Sequence, residues 1–227
     1  MTNPYEDAAI IFDLDGTLVD TAPDLTNALN HVLVAEGRTA VALADVRHMV
    51  GHGAREMIRA GMAATGAPAT EDDLDRMMDG FLPHYEAHIA DHSRPFDGVI
   101  EVLDTLKAHS ARLGVCTNKR ERLSLALLKT LEMDHYFSAI IGADTLPVKK
   151  PDPGHLLGTI DRVGRAPDRA VMIGDSTTDV KAAKAANVPV VVVTFGYPDI
   201  APDQMNGDVE IDHYDQLLAQ LPALLSR

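Results

Sequence analysis

Cysteine is almost missing: Cys116 is the one example in 227 residues, which excludes an internal disulfide. It falls inside an apolar stretch that reads as a buried strand, so its expected role is that of a small apolar side chain. Nowhere is there an apolar run long enough to span a bilayer, so no membrane partner is expected. Basic residues are scarce too. Lys and Arg number 20 against 34 Asp and Glu, for a formal net charge of −14. Nucleic acid, which is bound by clustered Lys and Arg, is disfavoured as a partner. Any anionic ligand must then be held by local features such as a metal ion, a lysine or helix N-termini. The opening MTNPYEDAA has no basic region followed by an apolar stretch, so no secretory signal is expected and the cytoplasm is the default location. Internal repeats and low-complexity tracts are also missing. The remaining composition, 46% hydrophobic and 24% charged, is ordinary for a globular chain. The length suits one large domain, or a core carrying a smaller insertion.

The most informative stretch is Ala8 to Asp20, AAIIFDLDGTLVD. Its apolar run ends abruptly at Asp13, and Asp15, Gly16 and Thr17 follow at once, which is the pattern of a buried strand closed by a turn. Ligands of open parallel sheets bind at the C-terminal ends of strands, where these two carboxylates fall. Carboxylates held close repel unless a proton or cation lies between them, and Mg²⁺ prefers such oxygen ligands. Gly16 frees the backbone for a sharp turn. An EF-hand calcium loop also contains Asp-x-Asp-Gly. In that register Ile11 and Ala22 would occupy the first and twelfth positions, where acidic ligands are required, so that reading fails.

From Pro23 to about His92 the periodicity is helical. Asp24–Glu36 has Asp24 as a candidate N-cap and Gly37 just beyond its end. Ala44–Thr65 is broken near Val50-Gly51-His52-Gly53, and Thr70 with Asp73 forms a capping-box pattern ahead of a third helix running to His88. After Pro95, strands and helices alternate. Strands are expected over Ala111–Thr117, Ala139–Gly142, Ala170–Gly174, Pro189–Thr194 and Val209–Ile211. Helices are expected over Val99–Ala108, Arg120–Leu131, Gly154–Val163, Thr178–Ala186 and Tyr214–Leu225. Such alternation predicts an α/β fold, a Rossmann-like parallel sheet with helices on both faces. The first strand belongs with this later half. Residues 1–21 and 94–227 therefore form the core domain and residues 22–93 a helical insertion, with the two connections acting as hinges.

Four strand ends then carry polar groups to one edge. They are Asp13 and Asp15; Thr117 and Asn118; Lys149 and Lys150 ahead of Pro151; and Asp175 with Ser176 and Asp179. Each pair alone has a bland reading, as helix caps, turn residues or solvated lysines. Their order and spacing together make the signal.

With DLDGTLVD, TN, KKPDP and GDSTTD in that order, the sequence resembles the haloacid dehalogenase-like hydrolase superfamily, and the motifs extend from Asp13 to Asp179. The insertion resembles that superfamily's type-1 cap. DLDGTLVDT, VGHGA and TNK further resemble its phosphoglycolate phosphatase group. The resemblance implies a Mg²⁺-dependent phosphomonoester hydrolase with a small-molecule phosphate ester as its partner. It implies Asp13 as the nucleophile that becomes an aspartyl-phosphate, and Asp15 as general acid and then base. Dehalogenases of the superfamily lack the second aspartate, so Asp15 favours phosphoryl transfer. The metal would be bound by Asp13, the backbone carbonyl of Asp15 and Asp175, with Asp179 behind them or acting through water. Thr117 and the amide of Asn118 would hold phosphoryl oxygens. Lys150, rather than Lys149, would offset the charge on Asp13 and the phosphoryl group.

For 2-phosphoglycolate the carboxylate needs a positive partner, and Arg55 and His52 in the cap loop are the candidates. A phosphosugar phosphatase or a β-phosphoglucomutase-like phosphotransferase is the enzymatic alternative. A phospho-ligand sensor is the non-enzymatic one. Against the sensor, receiver domains are shorter and lack the helical insertion, and a catalytically dead binder is expected to have lost Asp13 or Asp15. The oligomeric state, monomer or homodimer, is left open by the sequence.

Overall fold

The computed structural model describes residues 3–226. Residues 1, 2 and 227, the outer ends of the expected core domain, lie outside the described residues.

The first strand, β1 (Ala9–Phe12), has no polar side chain and every residue is buried. The sheet explains why. β1 pairs in parallel with β4 (Arg112–Cys116) on one side and β6 (Ala170–Gly174) on the other. With β5 (Ala139–Ile141), β7 (Val190–Val193) and β8 (Val209–Ile211), the six-stranded parallel order is β5-β4-β1-β6-β7-β8. A central parallel strand is covered on both faces, so both of its side-chain sets are apolar. Ile10 and Phe12 enter one core with Val171, Val191 and the apolar faces of α5 (Val99–Ala108), α6 (Glu121–Thr130) and α9 (Leu217–Leu224). Ala9 and Ile11 enter the other with Met172, Val192, α7 (Pro153–Arg162) and α8 (Thr177–Ala185). The fold is thus the expected α/β sheet with helices on both faces.

Between β1 and α5 the chain leaves through β2 (Val19–Asp20) and returns through β3 (Arg94–Pro95), which pair antiparallel as a two-stranded ribbon. The regular elements between them are all helices: α1 (Ala22–Ala35), α2 (Leu43–Arg47), α3 (Ala54–Ala64) and α4 (Glu71–Ala87). The expected capping box is present, with Thr70 Oγ1 accepting from the Asp73 amide at 3.2 Å and Asp73 Oδ2 accepting from the Thr70 amide at 3.0 Å. The ribbon itself has no sequence signature, because two-residue strands carry no periodicity to read.

Two details differ from the sequence expectation. α1 begins at Ala22, ahead of Pro23, because proline is tolerated in a first turn where its missing N–H costs nothing. Asp24 is therefore inside the helix and not its N-cap. Its buried carboxylate reaches across the ribbon and accepts from the His92 amide, the Ser93 amide at 2.7 Å and Ser93 Oγ at 2.6 Å. The last helix is also shorter than expected: a 3₁₀ turn over Tyr214–Gln216 precedes α9.

Asp24 thus fastens the outgoing chain to the returning one. Replacing it by alanine strands the Ser93 hydroxyl and two amides in a buried place. Asp24→Ala should cost about 3 kcal/mol, the scale of hydrogen bonds to a buried charge. Urea unfolding of the variant checks this, and a loss below about 0.5 kcal/mol would mean that the clamp is solvated.

Candidate functional site

The end of β1 delivers Asp13 into a polar cluster beneath the sheet edge. Its amide donates to the carbonyl of Ile173 at 2.9 Å, continuing the ladder by one step. Its Oδ1 accepts from the Leu14 amide at 2.7 Å and pairs with Lys150 Nζ at 2.9 Å. Lys150 is 1% exposed and spans two carboxylates, its second partner being Asp179 Oδ1 at 2.6 Å. Asp179 lies in the first turn of α8, where its Oδ2 accepts from the amide and hydroxyl of Ser176 in a capping box. Asp175 follows β6. Its Oδ1 accepts from Thr17 Oγ1 at 3.2 Å and its Oδ2 from the Tyr197 amide at 2.6 Å.

Asp13, Asp175 and Asp179 each present a carboxylate oxygen, and these oxygens all lie within 4.8 Å of one another. Against three buried carboxylates this cluster sets one ammonium, Lys150. Burial raises Asp13 from 3.8 to about 7, with Lys150 pulling it down and Asp179 pushing it up. Burial, then Asp13 and Asp179, raise Asp175 well above the usual carboxylate range. For Lys150, burial acts downward, but Asp13 and Asp179 more than reverse it. The donor set is all oxygen and carries excess negative charge, which is what a hard divalent cation requires. Space around it is tight. Gly16 has φ 81°, and a Cβ there would come within 2.2 Å of Asp175 Oδ2, so only glycine lets the turn pass.

Asp15, two residues on, is partnered differently. Its carboxylate oxygens lie 2.9 and 3.2 Å from Lys119 Nζ. Lys119 also donates to Tyr85 Oη at 2.7 Å, and Tyr85 stands on α4 of the insertion. Burial lowers the proton affinity of Lys119, and Asp15 and Tyr85 more than restore it. Burial lifts the Tyr85 phenol to about 12. Thr117 is buried at the end of β4, and its Oγ1 accepts from the Lys119 amide at 3.2 Å. Asn118 Nδ2 donates to Gly51 O in the insertion and to Lys150 O, while its buried Oδ1 has no partner. That unpaired acceptor faces the requirement that buried polar groups be bonded.

A cavity of about 490 Å³ opens where the insertion faces the core. Asp13, Asp15, Thr117, Asn118 and Lys119 line it from the core side; His52, Arg55, Phe81 and Tyr85 line it from the insertion. Lys150, Asp175 and Asp179 stand behind Asp13 and are not part of its wall. Lys149 is exposed on the wall, so of the two lysines it is Lys150 that touches the carboxylates. Arg55 reaches the cavity with its guanidinium committed to Glu71 at 2.6 Å and Asp75 at 2.5 Å. His52 Nε2 lies 3.9 Å from Asp199. Lys119 and Tyr85 are the residues that sequence reasoning passed over. The lysine directly after Thr117-Asn118 was a usable signal; Tyr85, 34 positions earlier, had none.

The sequence of the Haloacid dehalogenase-like hydrolase family matches over residues 10–193. The chain is 45% identical over 217 residues to a phosphoglycolate phosphatase of Agrobacterium fabrum, covering 96% of this chain and 92% of that one. It is 46% identical to one of Mesorhizobium japonicum, covering 96% of each. Among solved structures, a protein of Haemophilus somnus described as a predicted phosphoglycolate phosphatase superposes with a TM-score of 0.88 at 30% identity, covering 96% of this chain and 98% of its own. Among the described residues no helix is long and apolar enough to cross a membrane.

The raised carboxylates give a signed prediction. Between 3.8 and about 7 the folded state keeps a proton on Asp13 that the unfolded chain releases, so this site loses stability as pH rises through that window. A divalent cation bound at the cluster would replace that proton. The increase in Tm on adding Mg²⁺ should therefore be larger at the top of that window than at its middle, and Asp13→Asn should flatten the difference. Scanning calorimetry with Mg²⁺ and with EDTA checks it; a Mg²⁺ effect that shrinks as pH rises would contradict it.

Proposed function

The chain belongs to the haloacid dehalogenase-like hydrolase family, and from that premise we propose that it is a Mg²⁺-dependent phosphomonoesterase whose substrate is 2-phosphoglycolate. The observation that carries the reading is the division between the two carboxylates of β1's end. Asp13 is backed by the fixed cation Lys150, whereas Asp15 faces the cavity on a lysine shared with the insertion. A nucleophile needs its developing and departing charge held in place; an acid–base group needs access to the leaving oxygen.

In the first half-reaction an Asp13 carboxylate oxygen attacks phosphorus. The new P–O bond makes an aspartyl-phosphate as the ester P–O bond breaks, and Asp15 gives its proton to the departing glycolate oxygen. In the second, Asp15 takes a proton from water as that water attacks phosphorus, and the Asp13–phosphate bond breaks to release inorganic phosphate. Thr117 Oγ1 and the Asn118 amide receive phosphoryl oxygens, and Lys150 offsets charge on Asp13. Asp13, the backbone carbonyl of Asp15 and Asp175 would hold Mg²⁺, with Asp179 keeping Lys150 and the Ser176 turn in place. The bound cation supplies charge neutralisation for the phosphoryl group.

We read residues 22–93 as a cap over this chemistry, hinged at the β2–β3 ribbon, with residues 3–21 and 94–226 as the core. The relatives are named as phosphatases, which favours hydrolysis over return of the phosphoryl group to a second substrate. A free, buried Cys116 fits a reducing compartment, and we place the enzyme in the cytoplasm.

Steady-state hydrolysis of 2-phosphoglycolate tests the roles. Asp13→Asn should lower kcat by at least about a thousandfold, as removal of a nucleophile does. Asp15→Asn should lower it by about 10²- to 10⁴-fold, the scale of general acid–base catalysis. EDTA should abolish activity of the wild type and Mg²⁺ restore it. Near wild-type turnover in both variants would refute the reading.

A further inference from the structure

We propose that Lys119, braced by Tyr85, is the cation that receives the substrate's carboxylate, and that the enzyme therefore selects phosphomonoesters bearing an anionic group one methylene from the ester oxygen. The inference rests on the phosphatase reading above.

The argument starts from the leaving group. For Asp15 to protonate the ester oxygen, the two must come within about 2.6–3.2 Å. In 2-phosphoglycolate the carboxylate is separated from that oxygen by one carbon, so it must also lie beside Asp15. The cation in that place is Lys119, whose Nζ is 2.9 Å from Asp15 Oδ1. An ammonium carries three protons. Tyr85 takes one at 2.7 Å and the Asp15 oxygens take the others at 2.9 and 3.2 Å, so the longest of these contacts is the one a substrate carboxylate would displace. Tyr85 Oη accepts from Lys119, which leaves its own proton for an acceptor. Both groups line the cavity and are shielded, with Lys119 8% and Tyr85 1% exposed. A charged hydrogen bond made out of water is stronger and more selective than one made at the surface.

The remaining cations of the cavity wall are less suited. Arg55 is held between Glu71 and Asp75. Lys149 and Arg120 are exposed, where water and salt screen them. His52 stands near Asp199. Lys150 is occupied by Asp13 and Asp179 behind the wall. The position of Lys119 also makes recognition depend on the insertion, since Tyr85 comes from α4 while Lys119 and Asp15 come from the core. An ester without the carboxylate leaves the third ammonium donor on its long 3.2 Å contact to Asp15 in a shielded site, and forgoing the charged hydrogen bond is the source of selection.

The test compares kcat/KM for 2-phosphoglycolate with that for ethyl phosphate, which lacks only the carboxylate chemistry, on the Mg²⁺-loaded enzyme. The ratio is the readout, because damage to Asp15 or to the scaffold slows both substrates alike. Lys119→Met should cut the ratio by about 10- to 100-fold, the worth of a charge-assisted hydrogen bond. Tyr85→Phe, which keeps the ring, should cut it by a smaller factor, and Lys119→Arg should recover part of it. Where Lys119→Met does not accumulate as folded protein, Tyr85→Phe carries the test, with glycolate inhibition of ethyl phosphate hydrolysis weakening in parallel. An unchanged ratio in Lys119→Met, or in Tyr85→Phe if that variant alone folds, would overturn the proposal, as would collapse of the ratio in Arg55→Ala alone. A wild-type ratio near one would also overturn it while leaving the phosphatase intact. Wild-type enzyme that releases phosphate from neither ester would defeat the functional reading itself.

Discussion

Lys150, wedged between Asp13 and Asp179 at 2.9 and 2.6 Å, is the contact on which the rest of the site depends. A buried ammonium is costly unless paired, and here it is paired twice. Its presence lets two carboxylates approach within ligand distance of a third, Asp175, without flying apart. It does not cancel their charge. The surplus is held in a turn so close that Gly16 can bear no side chain, with Thr17 and Tyr197 fixing the Asp175 oxygens. Folding has therefore placed a cation requirement at the edge of the sheet before any ligand arrives, and removal of Lys150 alone would leave the cluster without internal compensation.

The insertion is joined to this cluster through a few polar contacts. Asn118 reaches Gly51 and Lys119 reaches Tyr85, while at the far side Asp24 ties the start of α1 to Ser93 and Tyr197 bonds both Asp20 and the Ala22 amide. The two-stranded ribbon between them is the narrowest part of the connection. Lys119 is thus held by groups on both sides of that ribbon. Asp13 and Asp15 thereby rest on separate supports, one within the core and one shared with the insertion.

Much of this was legible in the sequence because the relevant signals are local. A central parallel strand must be apolar on both faces, so AAIIF announced β1, and the polar residues at four strand ends had only one edge to occupy. The preference for Lys150 over Lys149 agrees with the burial of one and the exposure of the other. What escaped depended on contacts across long separations. Asp24 looked like a cap because capping is a local rule, whereas its partners at His92 and Ser93 lie 68 and 69 residues away. Arg55 read as a free cation because Glu71 and Asp75 belong to the following helix, 16 and 20 residues on. β2 and β3 are too short to show a period, and Tyr85 acquires meaning only once Lys119 is folded beside it.

The central claim is that the Asp13–Asp175–Asp179 cluster is incomplete in charge and is completed by one divalent cation. Calorimetric titration of the full chain with Mg²⁺ measures this directly. The account predicts one Mg²⁺ per chain for the wild type and loss of that binding in Asp175→Asn, with the fold retained by circular dichroism. A wild-type chain that binds no Mg²⁺, or an Asp175→Asn variant that binds it with undiminished affinity, would contradict it.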